Sequence, residues 1–166
     1  MQQIVLVRHG EAFDAGAGMA DADRPLTPDG HATARAVGND LASVLDRVDR
    51  LVSSELRRAR ETADGIADAV APNHREMFQG LAPEANPDGV FYWLAEQPAA
   101  DATVLVGHEP QMNQLLGLAL CGAPRGIAQF RKAGVAIIAF AGTPAPGEGR
   151  LDAFLPPRMA FRPREA

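Results

Sequence analysis

The stretch that most constrains this chain is Ile4-Val5-Leu6-Val7. Four apolar residues follow one another with no polar alternation, and three of them are β-branched. Such a run reads as a strand buried on both faces. A strand of that kind needs a covering layer on each side, which places it inside an α/β sheet. The run stops at Arg8-His9-Gly10-Glu11. Arg8 carries a permanent charge in a fork that fits a phosphate. His9 can act as nucleophile, base or metal ligand near neutral pH. Gly10 lets the backbone turn sharply or come close to a ligand. Ligands of open α/β sheets bind beyond the carboxyl ends of the strands, where Arg8 and His9 fall.

Size and charge narrow the field further. The 166 residues are enough for one domain with a real core, expected over 1–166. A formal net charge of −5 argues against a general nucleic-acid binder. No apolar run approaches the roughly 18–20 residues of a membrane span. Met1-Gln2-Gln3 runs into the first strand without the basic and apolar regions of a signal peptide. Cys121 is the only cysteine, so no internal disulfide can form. The expectation is a cytoplasmic monomer.

The chain alternates strands and helices. Residues 13–25 form a Gly-, Ala- and Asp-rich loop, in which Arg24 either reaches a bound phosphate or stays solvated. Thr27-Pro28-Asp29 opens a helix, with Thr as cap and Pro at the first position. Ala34, Val37, Leu41, Val44 and Leu45 give that helix its apolar face. Arg50-Leu51-Val52-Ser53 is a second strand. Ser53 or Ser54 is placed to cap a second helix, with Arg57, Arg58 and Arg60 in its first turns. Met77-Phe78 ends a weaker strand, and Asn86-Pro87-Asp88 opens a helix through about Gln97. Thr103 to Gly107 is another buried strand, followed by His108-Glu109-Pro110 and a helix ending at Gly122. Ala133 to Phe140 and Leu151 to Leu155 read as an antiparallel hairpin. The tail arginines Arg158, Arg162 and Arg164 are either frayed or available to a partner.

Three strand ends thus carry polar groups: Arg8-His9, Ser54 to Arg58, and His108. Brought together, they have a definite chemical meaning. Arginines neutralise phosphoryl oxygens, one neutral imidazole attacks phosphorus, and the second stabilises developing charge. Metal binding is disfavoured, because no His-x-His or His-x-x-x-His occurs and the arginines would repel a cation.

In these motifs the chain resembles the histidine phosphatase superfamily, also called phosphoglycerate mutase-like. The family signature Arg-His-Gly is matched by Arg8-His9-Gly10. Its Ser-x-x-x-Arg-Ala-x-x-Thr-Ala motif is matched by Ser54, Arg58, Ala59, Thr62 and Ala63. Its later Gly-His is matched by Gly107-His108. Within the superfamily the chain looks most like the short SixA-type phosphohistidine phosphatases. Its length, Arg24-Pro25-Leu26-Thr27 followed by Gly30, and Leu81-x-Pro83 all fit that pattern. The resemblance implies a three-layer α/β sandwich, with a mainly parallel central sheet and an antiparallel edge. It implies that His9 carries the phosphoryl group, that Arg8, Arg58 and His108 hold it, and that no cofactor is needed; Gly10 and Arg24 are further substrate-binding candidates by their position.

The general acid is where the chain departs from the pattern. Members that cleave phosphate esters use a carboxylic acid before the third helix to protonate the leaving alkoxide. Glu84 lies near that place and Glu11 follows the signature, but the local sequence around Glu84 is different. An alkoxide needs a proton from a tuned acid, whereas an imidazole leaves more readily. The expected function is therefore hydrolysis of phosphohistidine on a partner protein. The alternative is a phosphomonoesterase for a small sugar or nucleotide phosphate, using Glu84 or Glu11. A non-catalytic phosphate-binding adaptor is the remaining possibility.

Overall fold

The computed structural model describes residues 1–156. The tail arginines Arg158, Arg162 and Arg164 lie outside the described residues. The strands are β1 (Gln2–Arg8), β2 (Arg50–Ser53), β3 (His74–Met77), β4 (Ala102–Gly107), β5 (Val135–Phe140) and β6 (Arg150–Leu155). The α-helices are α1 (Pro28–Val44), α2 (Arg57–Val70), α3 (Asp88–Glu96) and α4 (Gln111–Cys121). Short 3-10 turns occupy Asp21–Asp23 and Gln79–Leu81.

The strands form one sheet in the order β3-β2-β4-β1-β5-β6. The β3-β2-β4-β1 part is parallel, while β5 and β6 run antiparallel. Side chains alternate along β1 and feed two separate cores. Ile4 and Leu6 join one cluster with Leu105, Val90, Leu115 and Leu116 from the α3 and α4 side. Val5 and Val7 join the other with Val37, Leu41, Ala59 and Ile66 from the α1 and α2 side. Both faces of β1 are thus covered, as its unbroken apolar run requires. The architecture is the expected three-layer α/β sandwich.

The helix starts follow the sequence signals with one exception. Thr27 caps α1, its hydroxyl oxygen accepting from Gly30 N–H at 3.0 Å. Asn86 Oδ1 accepts from Asp88 N–H at 3.0 Å before α3. Gly122 ends α4 in the left-handed conformation at φ +70°. The exception is α2, which begins at Arg57 after Leu56 with no side-chain cap. Neither Ser53 nor Ser54 caps it, because both side chains are buried at the end of β2.

Two further expectations need correction. Val44 does not belong to the inner face of α1, because the helix ends there and the side chain is 61% exposed. Ala133 does not open β5, because its φ of +57° is incompatible with a strand. No helix among the described residues is long and apolar enough to cross a membrane.

Candidate active site

Strand register brings the polar segments to one edge. Arg8 lies opposite Gly107, and Ser53 opposite Val106. The ladder continues one residue further, with His9 N–H donating to Gly107 O at 2.9 Å and Ser54 N–H to Val106 O at 3.0 Å. His9, Ser54 and His108 therefore leave the sheet side by side. The sheet order alone, with β4 between β1 and β2, produces this meeting.

His9 is buried, with only 7% of its surface exposed. Its Nδ1 lies 2.7 Å from Gly10 O. A carbonyl only accepts, so Nδ1 carries the hydrogen and Nε2 keeps a lone pair. Burial pushes the imidazole down from its ordinary 6.5 to about 3, with His108, Arg58 and Arg8 adding to the effect against the opposing Gly10 bond. His9 is thus neutral across the physiological range. The spacing of the sequence could not supply its tautomer.

Gly10 is held by two contacts. Its N–H donates to Thr62 Oγ1 at 2.9 Å, and the Thr62 hydroxyl donates to Arg58 O at 2.7 Å. Gly10 has no positive φ. Its role is close approach: a Cβ there would lie 3.0 Å from Gly30 O, and a Cβ on Gly30 would collide with Glu11 O. Paired glycines therefore let the segment after β1 rest on the first turn of α1.

Arg58 is buried to 4% exposure, unlike Arg57 and Arg60 on the same helix. Arg57 pairs instead with Glu61 at 2.7 Å. The Arg58 guanidinium donates through Nη1 to Asp21 O at 2.9 Å and through Nη2 to Asp21 Oδ2 at 3.1 Å. Arg8 donates through Nη1 to Phe130 O at 2.9 Å. His108 Nε2 lies 2.8 Å from Ser54 Oγ. Ser54 Oγ accepts from Leu56 N–H at 3.2 Å, and its own hydrogen is placed to go to His108 Nε2. A neutral His108 then carries its hydrogen on Nδ1. Burial and the field of Arg58 lower this imidazole to about 4.

Three nitrogens of this group, Arg8 Nε, Arg58 Nε and His108 Nδ1, are buried without a hydrogen-bond partner among the described residues. Buried donors are normally paired, and leaving one unpaired costs about 1–3 kcal/mol. Three in one cluster mark a place suited to acceptor atoms that the described residues do not supply. Among the described residues, no group of three or more His, Cys, Asp or Glu is arranged to hold a metal ion.

The other candidates sit at the margin. Arg24 is tied down, its Nε donating to Asp21 Oδ1 at 2.8 Å and its Nη1 to Phe13 O at 3.1 Å. Asp21 thereby joins Arg24 to Arg58. Glu84 is exposed. Glu11 is exposed and pairs with Lys132 at 2.6 Å. Sequence reasoning missed Asp21, Phe130 and Glu109. Glu109 is half-buried, its Oε1 accepting from Phe130 N–H at 3.2 Å. Burial raises its carboxyl above the ordinary value against the pull of that bond and of Arg8. Adjacency to His108 was the one signal for it in the sequence.

Comparison with known proteins bears on the family and the fold. The model of the histidine phosphatase superfamily, branch 1, matches residues 4–81. An uncharacterised protein of Picosynechococcus is 34% identical over 135 residues, covering 80% of this chain and 82% of its own. The structure of the protein histidine phosphatase SixA complexed with tungstate superposes with a TM-score of 0.81 at 24% identity, covering 94% of this chain and 97% of that one. A SixA protein from Nakamurella multipartitia, described as a putative phosphohistidine phosphatase, gives 0.79 at 26% identity, covering 95% and 97%. With the Arg-His-Gly strand end, the buried Arg58 and the second imidazole meeting beyond the same strand ends, the chain belongs to the histidine phosphatase superfamily and is of the SixA type.

Proposed function

We propose that the protein hydrolyses phosphohistidine on a partner protein through a phosphoryl group carried transiently by His9. The observation that carries this reading is the set of unpaired donors on Arg8, Arg58 and His108 around a neutral His9. A phosphoryl group brings the missing acceptors, and Nε2 brings the attacking lone pair. The tungstate in the SixA relative, a tetrahedral oxyanion like phosphate, supports it.

The reaction runs in two displacements. Nε2 of His9 forms a bond to phosphorus as the P–N bond to the substrate imidazole breaks, and the departing imidazole takes up a proton. Arg8, Arg58 and the Nδ1–H of His108 stabilise the charge on the phosphoryl oxygens. Water then attacks phosphorus in line, the P–Nε2 bond breaks, and inorganic phosphate leaves. His9 returns to its neutral form with the Nδ1 hydrogen still directed at Gly10 O.

The carboxylates support an easily departing group as the substrate. Glu84 is exposed and Glu11 is engaged by Lys132, so neither is a desolvated acid. Imidazole needs less assistance than an alkoxide. A second reading, hydrolysis of a small phosphomonoester, is favoured by one observation: Glu109 is half-buried with a raised carboxyl. The test is a side-by-side assay with a histidine-phosphorylated phosphotransfer domain and a panel of sugar phosphates. Faster turnover of the phosphoprotein, lost in His9→Ala, is expected. Faster turnover of one sugar phosphate, lost in Glu109→Gln, would overturn it in favour of the ester.

A further inference from the structure

We infer that Asp21 is a specificity-determining residue, whose carboxylate disfavours leaving groups that carry negative charge and favours an imidazole leaving neutral or protonated. The inference rests on the phosphatase reading above and deepens it. Asp21 opens the short 3-10 turn in the loop between β1 and α1. Its carboxylate bridges Arg58 Nη2 at 3.1 Å and Arg24 Nε at 2.8 Å. Both terminal nitrogens of Arg58 are thus turned to Asp21, while Nε remains unpaired. One guanidinium therefore separates the unpaired Nε from a fixed negative charge.

That charge faces solvent on the outer side of Arg58. The side chain of Asp21 is 63% exposed while its partner Arg58 is 5% exposed. Partial burial works against ionisation, but the bond from Arg24 and the fields of Arg58 and Arg24 hold the carboxyl below its usual range. Its influence extends past Arg58: among the charged groups acting on His108, Asp21 is the one that favours a proton there, against Arg58, Arg8 and Arg24. A carboxylate that reaches His108 also reaches a group departing from phosphorus beside it. A sugar bisphosphate, a nucleotide or a phosphorylated carboxylic acid brings a second anion toward this charge. An imidazole brings none, and once protonated it is attracted.

The role differs from simply holding Arg58 in place. Loss of a support for Arg58 slows all phosphorylated substrates alike. Loss of a selecting charge changes the ratios between them. The test compares kcat/KM for phosphoimidazole, phenyl phosphate and 4-carboxyphenyl phosphate in the wild type, Asp21→Asn and Asp21→Glu. In Asp21→Asn the preference for phenyl over 4-carboxyphenyl phosphate is expected to fall by about tenfold, as for one unit charge at the effective dielectric of a protein surface. The preference for phosphoimidazole over phenyl phosphate is expected to fall as well. Asp21→Glu, which keeps the charge, is expected to retain both preferences.

Proportional slowing of all three substrates in Asp21→Asn would overturn the inference and leave Asp21 as a support for Arg58. Altered ratios in Asp21→Glu equal to those in Asp21→Asn would overturn it too, since charge would not be the agent. A wild type that turns over none of the three and forms no phospho-His9 overturns the phosphatase reading itself, and the inference with it.

Discussion

His9 and His108 face each other with ring centroids 5.1 Å apart and planes inclined at 53°. Each ring has one nitrogen committed to the protein, Nδ1 of His9 to Gly10 O and Nε2 of His108 to Ser54 Oγ. The two nitrogens left over are of opposite kind. His9 Nε2 offers a lone pair, and His108 Nδ1 offers a hydrogen. In the proposed mechanism these are the attacking group and the charge-stabilising group, each set by one hydrogen bond, the first local and the second long-range.

The first prediction concerns the site of phosphorylation on His9. Because Nδ1 is held by Gly10 O, the phosphoryl group is expected on Nε2. Rapid quenching of a turnover mixture followed by ³¹P NMR at alkaline pH distinguishes the two isomers. His9→Ala is expected to lower kcat by about a thousandfold or more, as removal of a nucleophile does. An Nδ1-phosphorylated species would show that the ring turns over before attack.

Ser54 tests the other imidazole. Ser54→Ala leaves His108 Nε2 without its partner and frees the choice of tautomer. A loss of about 10- to 100-fold in kcat is expected, with KM changing less, because misplacement of a reacting group acts on the transition state. Ser54→Thr keeps the hydroxyl and is expected to recover most of the activity. Steady-state kinetics on both variants decide it.

Acid should weaken the fold through the same two rings. Both have folded-state values below the ordinary 6.5, about 3 for His9 and about 4 for His108. Between those values and 6.5 the unfolded chain binds protons that the folded chain refuses. Their contribution is therefore full above pH 6.5 and declines as the pH falls toward 4 and then 3. Urea unfolding at pH 5 is expected to give a stability lower than at pH 7 by roughly 2–4 kcal/mol from this pair. His9→Ala should remove about half of that difference.

Gly30→Ala sets two effects against each other. Alanine favours a helix over glycine by about 1 kcal/mol. Here the added Cβ meets the backbone oxygen of Glu11, which cannot move aside like a flexible side chain. The collision is expected to win, with a net loss of about 1–3 kcal/mol. Displacement of residues 9–11 should lower kcat as well. Thermal unfolding and a kinetic assay on one preparation measure both.

The parts of the site legible in the sequence are those that lie next to a strand end. His9 and His108 each follow a buried apolar run, and Arg58 follows Ser54 at a fixed spacing on a helix. Periodicity identifies such elements, and sheet order brings their ends together. Asp21 and Phe130 are different. They come in on loops whose paths depend on tertiary contacts, so no local pattern announces them. Ser54, like Ser53, fits the pattern of a helix cap, because a serine before a helix often is one. Its hydroxyl instead serves His108, a partner 54 residues away. Val44 fits the helical period but is the last residue of α1, with its side chain 61% exposed, and periodicity does not say where a helix stops.

The link from Gly10 N–H through the Thr62 hydroxyl to Arg58 O spans 52 residues and fastens the turn after β1 to the first turns of α2. His9 and Arg58 therefore belong to one mechanical body. The turn after β1 and the first turns of α2 therefore hold His9 and the Arg58 guanidinium at one spacing, whatever the outer loops do.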